Sequence, residues 1–86
     1  YSTAYNNRGS FYYNLKEYDK AIKDYNKALE INPQDAGAYS NRGDVYRELK
    51  EYDKAIKDYN KALEIDPKVR NASNNKKLAE EAKRNQ

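Results

Sequence analysis

Neither cysteine nor histidine occurs among the 86 residues. The first absence excludes a disulfide framework, a thiolate metal site and a cysteine nucleophile. The second removes the usual general base and the commonest metal ligand. No apolar run approaches the ~20 residues that span a bilayer. No secretory leader is visible at Tyr1, so the expected location is the cytoplasm or one the sequence leaves unknown. The absent initiator methionine suggests a trimmed or excised chain. An excess of one charge sign is lacking too. There are 17 basic and 14 acidic residues, a net charge of +3, and the signs are interleaved. That predicts a mixed, solvated surface and no nucleic-acid footprint. Lys20, Lys23 and Lys27 and their copies Lys54, Lys57 and Lys61 share a face, but Asp24 and Asp58 interrupt it. The acidic residues are dispersed without calcium-loop spacing, and they face lysines rather than a nucleophile. No enzyme, metal or cofactor is expected. Asn71-Ala72-Ser73 fits a glycosylation acceptor and is discounted without a leader.

What is present is a repeat. The stretch LKEYDKAIKDYNKALEI occupies Leu15–Ile31 and returns letter for letter at Leu49–Ile65, an offset of 34 residues. A fixed period of that size marks a helical repeat array, in which each unit packs on its neighbour. Composition alone leans toward disorder, with 37% hydrophobic residues, 36% charged residues and a mean hydropathy of −1.38. Ten tyrosines, one phenylalanine and a regular aliphatic period argue for a folded chain. The size fits one domain, residues 1–86, whose compact core would be marginal.

In chain order, Ser2 to Leu15 reads as a helix with packing residues at Ala4, Tyr5, Gly9, Phe11, Tyr12 and Leu15. Gly9 costs about 1 kcal/mol against alanine there, and points to close approach of a neighbouring helix. Lys16-Glu17 forms a turn. Tyr18 to Ile31 is an amphipathic helix whose stripe is Tyr18, Ala21, Ile22, Tyr25, Ala28 and Leu29. Asp19, Lys20, Lys23, Asp24, Lys27 and Glu30 fall on its other face, with Asp19–Lys23 and Lys20–Asp24 as pairs four apart. Asn32-Pro33 stops that helix, and Asp35 is placed to cap the next. Helices are predicted over Ala36–Leu49 and Tyr52–Ile65, the latter stopped by Asp66-Pro67. From Lys68 a third start follows, with Ser73 in the tyrosine position and Lys77 in the glycine position. It reads as a polar closing helix over residues 70–86.

The units, 2–35 and 36–69, resemble the tetratricopeptide repeat, a 34-residue helix–turn–helix. The positions that carry the resemblance are Tyr5, Gly9, Tyr12, Ala21, Tyr25, Ala28 and Pro33, and in the second unit Tyr39, Gly43, Tyr46, Ala55, Tyr59, Ala62 and Pro67. Arg8 and Arg42 depart from it by standing where leucine is usual, and are expected to snorkel along the seam between paired helices. The resemblance implies an all-α solenoid of five helices. It would be a right-handed superhelix in which the first helix of each unit lines a concave groove. It also implies peptide or helix binding in that groove, by a scaffold rather than a catalyst.

Side-by-side comparison of the units shows ten differences in 34 positions. They are Ser2/Ala36, Thr3/Gly37, Asn6/Ser40, Ser10/Asp44, Phe11/Val45, Tyr13/Arg47, Asn14/Glu48, Asn32/Asp66, Gln34/Lys68 and Asp35/Val69. None lies in the second helix of a unit. Positions 3, 6, 10, 13 and 14 share one helix face. The packing face is copied and another face is free to vary, as either a groove lining or ordinary surface. Asn7, Asn41 and Asn75 keep the 34-residue period, and amides offer both donor and acceptor to a peptide. The candidate groove residues are therefore Asn6, Asn7, Ser10, Tyr13, Ser40, Asn41, Asp44, Arg47 and Asn75. The basic residues with which the family clamps acidic chaperone tails are missing. Asn6, Ser10, Asn71 and Asn75 stand at clamp positions, so tight binding of such tails is not expected. The other reading is an engineered or duplicated scaffold without a natural ligand. Two units leave repeat faces exposed, so a homodimer is also anticipated.

Overall fold

The computed structural model describes all 86 residues and contains five helices and no strand. They are α1 (Ser2–Asn14), α2 (Tyr18–Ile31), α3 (Ala36–Glu48), α4 (Tyr52–Ile65) and α5 (Ala72–Arg84). Each helix packs on the next, and α3 also meets α1 and α5. The result is an elongated body of 38 × 27 × 17 Å. In it α1, α3 and α5 form one row, and α2 and α4 another.

The turns follow from local chemistry. Lys16 and Lys50 take left-handed backbone, at φ 61° and 63°. This lets the amides of Glu17 and Glu51 donate back to the carbonyls of Tyr12 and Tyr46, 2.9 Å each. Asn32 and Asp66 accept from the amides two residues on, at 3.1 and 3.0 Å. Asp35 caps α3, accepting from the Ala38 amide at 3.0 Å, and also accepts from the Ser2 hydroxyl of α1 at 3.1 Å. The second unit has Val69 in that place, and α5 starts from a left-handed Asn71 without a side-chain cap.

Alanine and tyrosine make the core. Ala21, Ala28, Ala55, Ala62 and Tyr59 are wholly buried, and Tyr25 nearly so. Gly9 and Gly43 are required by those rings. A Cβ there would stand 2.7 Å from Tyr25 Cε1 and 2.9 Å from Tyr59 Cε1, inside van der Waals contact. The close approach read from Gly9 is thus that of a tyrosine ring to a helix backbone.

Three expectations change. First, Ala4, Phe11 and Leu15 do not pack. Phe11 is 58% and Leu15 54% exposed, because no element covers that side of α1. Second, Asp24 and Asp58 are buried, not outward, and neither pairs with a lysine. Arg8 Nε and Nη2 each donate to Asp24 at 2.8 Å, and Arg42 makes the same fork on Asp58. The two arginines therefore do not snorkel; they neutralise a carboxylate and lie over tyrosine rings. Third, the pairs Asp19–Lys23 and Lys20–Asp24 do not form. Lys20 binds Glu17 at 3.1 Å and Lys27 binds Glu30 at 3.5 Å. The lysine face is offset by glutamates at its ends, not by the aspartates within it.

Candidate functional site

Several variable residues of α1 and α3 meet neighbouring helices. Asn41 Nδ2 donates to Asn6 Oδ1 at 3.0 Å, tying α3 to α1. Asn75 Nδ2 donates to Asp44 Oδ1 at 2.9 Å, tying α5 to α3. Tyr13 reaches Glu48 of α3 at 3.4 Å. The expected free face is thus partly a set of interhelical links. Ser40 is buried at 3% exposure and offers almost nothing to a ligand. Val45, another variable position, is in the core at 0%. Asn7 is exposed and makes no side-chain hydrogen bond. Asn6, Ser10, Tyr13, Asn41, Asp44, Arg47 and Asn75 are half-buried.

Positions 10 and 44 differ in chemistry but do the same work. Each holds the hydroxyl of the core tyrosine of its own unit. Ser10 Oγ lies 3.0 Å from Tyr25 Oη. The Tyr59 hydroxyl donates to Asp44 Oδ1 at 2.5 Å, and Arg47 Nε donates to Tyr59 Oη at 3.3 Å. Sequence comparison could not show this link, since the tyrosine is identical in both units and only its partner varies. Burial raises the Asp44 carboxyl above its ordinary value, against the pull of Tyr59, Arg47 and Asn75. Burial also raises Tyr59, reinforced by the adjacent carboxylate. Tyr13 is pushed up to about 12, by desolvation first and then by Glu48 and Asp44.

Charge along this face is mixed. Asp44 and Glu48 accompany Arg47, and no lysine is among the candidates. The roomiest surface hollow lies elsewhere, lined by Tyr39, Arg42, Ile56, Lys57 and Lys61. It shares no residue with the candidate set, and the ion pair of Arg42 with Asp58 occupies its floor. No group of three or more acidic side chains is gathered to hold a metal. No helix is long and apolar enough to cross a membrane.

Two helix–turn–helix units stacked in register, joined mainly where α2 of the first packs on α3 of the second and followed by one more helix, define a helical-repeat protein. The family model for the tetratricopeptide repeat matches residues 1–68. The chain belongs to the tetratricopeptide repeat family. Several solved structures share the fold. One is the first such domain of Spaghetti (RPAP3) bound to the HSP90 peptide SRMEEVD, at 33% identity and TM-score 0.90 over 95% of this chain and 65% of that one. Another is the Arabidopsis OM64 domain, at 31% identity and TM-score 0.90, over 94% of this chain and 67% of that one. A third is the TPR2B domain of yeast Sti1 in its pHsp70 complex, at 32% identity and TM-score 0.90, over 94% and 65%. The chain thus spans about two thirds of the length of these domains. Nothing among the curated proteins matches the chain.

Proposed function

We propose that the chain is a non-catalytic protein-interaction module, with units 2–35 and 36–69 and a closing helix over 70–86. In this reading it takes a peptide or helix along the face made by α1, α3 and α5. The observation that carries it is the line of amides Asn7, Asn41 and Asn75, one on each of three adjoining helices. Asn7 is exposed without a partner, and Asn41 and Asn75 each spend one N–H on a neighbour and keep an acceptor oxygen. Tyr13 and Arg47, types enriched at binding hot spots, flank that line. Two of the similar structures carry chaperone peptides, which supports peptide binding as a class.

The ligand chemistry is expected to differ from theirs. With Asn6, Asn71 and Asn75 at the basic positions, and Asp44 and Glu48 close by, an acidic tail meets repulsion instead of a clamp. Calorimetric titration with SRMEEVD should give no submicromolar dissociation constant; finding one would refute the reading of the face. A peptide-array screen should return neutral or basic sequences, with binding weakened in both Tyr13→Ala and Arg47→Ala.

A second reading has its own observation. Asn6–Asn41, Asp44–Asn75, Ser10–Tyr25 and Tyr13–Glu48 engage five of the variable polar groups in bonds between helices. This favours a duplicated or engineered scaffold in which the variation fastens one unit to the next. An array without hits would select it.

A further inference from the structure

We propose that Tyr59 and Asp44 form a redox site, in which a one-electron oxidant takes an electron from the Tyr59 ring while the phenol proton passes along their hydrogen bond to the carboxylate. The step balances. The O–H bond of Tyr59 breaks, an O–H bond forms on Asp44 Oδ1, and the electron leaves on the oxidant. The product is a neutral tyrosyl radical beside a carboxylic acid.

A phenol resists oxidation in place because the radical cation it gives is a very strong acid. A base poised at the hydroxyl removes that obstacle by taking the proton as the electron departs. The structure holds such a base at Tyr59. The hydroxyl donates to Asp44 Oδ1 at 2.5 Å, so the proton has almost no distance to cover. Arg47 Nε donates to the same phenol oxygen at 3.3 Å and keeps it oriented. Asn75 Nδ2 donates to Oδ1 at 2.9 Å and fixes the carboxylate from α5. The charged and titratable groups around Asp44 are Arg47 and Glu48 of its own helix, Tyr13 of α1, Tyr25 of α2 and Tyr59 of α4. Burial raises the affinity of this carboxylate for a proton above that of a solvated aspartate.

The other tyrosines each lack a part. Tyr25, the copy of Tyr59 in the first unit, meets Ser10, and a serine hydroxyl is no base at neutral pH. Tyr13 faces a carboxylate, but the bond to Glu48 is exposed and 3.4 Å long, at the limit of hydrogen bonding. Burial also makes the step at Tyr59 reversible. Exposed tyrosyl radicals couple ring to ring, and Tyr59 is 0% exposed. Its Cε1, a ring carbon at which such coupling occurs, lies so close to the Gly43 backbone that a Cβ there would stand 2.9 Å away. The proton stays on Asp44, so a returning electron restores phenol and carboxylate together. The body is only 17 Å across its thinnest direction, which lets the electron leave without contact between ring and oxidant. The site needs no peptide on the face of α1, α3 and α5, and either proposal stands if the other fails.

The test oxidises the full chain with photogenerated tris(bipyridine)ruthenium(III) and follows the radical by freeze-quench paramagnetic resonance. A fast-forming tyrosyl radical is expected, at a rate that is level across neutral pH and falls in acid, where Asp44 is itself protonated. Asp44→Asn still accepts the hydrogen bond but not the proton. It is expected to slow the fast radical about a hundredfold, the size of a positioned general base. Tyr59→Phe should remove that radical, and Tyr25→Phe should leave it. Melting curves verify that the variants are folded, and Asp44→Asn, which keeps the hydrogen bond, carries the test alone where Tyr59→Phe is unstable. Equal rates in Asp44→Asn and the parent overturn the proposal. So does a fast radical that survives Tyr59→Phe, or one that Tyr13→Phe abolishes, which would place the reaction at the Glu48 pair.

Discussion

Two arginines decide much of what is unusual in the chain. Arg8 and Arg42 occupy positions where an aliphatic side chain would pack, and each is matched by an aspartate 16 residues later that is 5% exposed. Breaking a buried pair by removing one partner strands the other charge. Arg42→Leu, which restores the residue usual in the family, is therefore expected to destabilise the protein by about 3 kcal/mol in urea denaturation. Arg8→Leu should cost less, since Arg8 is more than half exposed and its charge is screened by water. An equal loss in the two variants would contradict this account. Asp44 behaves in the opposite sense. Its folded-state carboxyl is raised by burial, so the protonated form is favoured in the native state. The contribution to stability is present in acid and is lost as pH rises through the raised value. Asp44→Asn keeps an acceptor for Tyr59 and removes that cost. Thermal unfolding should show the variant no less stable than the parent at neutral pH, with a smaller gain on acidification.

At the scale of the element, the helix pairs turn on a lysine in left-handed backbone. An L-residue pays roughly 1–2 kcal/mol for that region, which glycine does not. Against this stands the greater freedom that glycine loses on folding. Lys50 forms no ion pair that would offset the strain. Lys50→Gly is accordingly expected to raise stability by about 0.5–1 kcal/mol. A lower melting midpoint would show that the turn is held by something other than backbone preference. The elements themselves were legible in the sequence. α2 and α4 run over the predicted residues, because proline and an apolar stripe mark their ends and faces without reference to the rest of the molecule. The capping role of Asp35 was equally local. What was not legible depends on partners distant in sequence. Asp24 lies among lysines at helical spacing and looks like surface; only the fork from Arg8 places it inside. Phe11 and Leu15 carry the periodicity of a core, but periodicity does not say whether anything covers them.

For the molecule as a whole, the 34-residue period was enough to read the architecture. It could not tell copied packing from free variation, because a varying residue can also be a packing one. Val45 is in the core, Ser40 is buried, Asn6 ties α1 to α3, and Asp44 ties α3 to α5. The candidate face is therefore a seam as well as a surface, which the sequence could not reveal. The first and last helices also differ: Gly9 of α1 receives a tyrosine ring, whereas a lysine, Lys77, stands in that place on α5.

The unequal treatment of two equivalent tyrosines has an optical consequence. The chain contains no tryptophan, so its near-ultraviolet spectrum belongs to tyrosine. Tyr25 shares its hydroxyl with a serine, while Tyr59 donates to a carboxylate. A phenol that donates strongly absorbs at longer wavelength and emits less. The two halves of a nearly duplicated molecule thus carry different intrinsic labels, and the unfolding of each can be followed by light without attaching a dye.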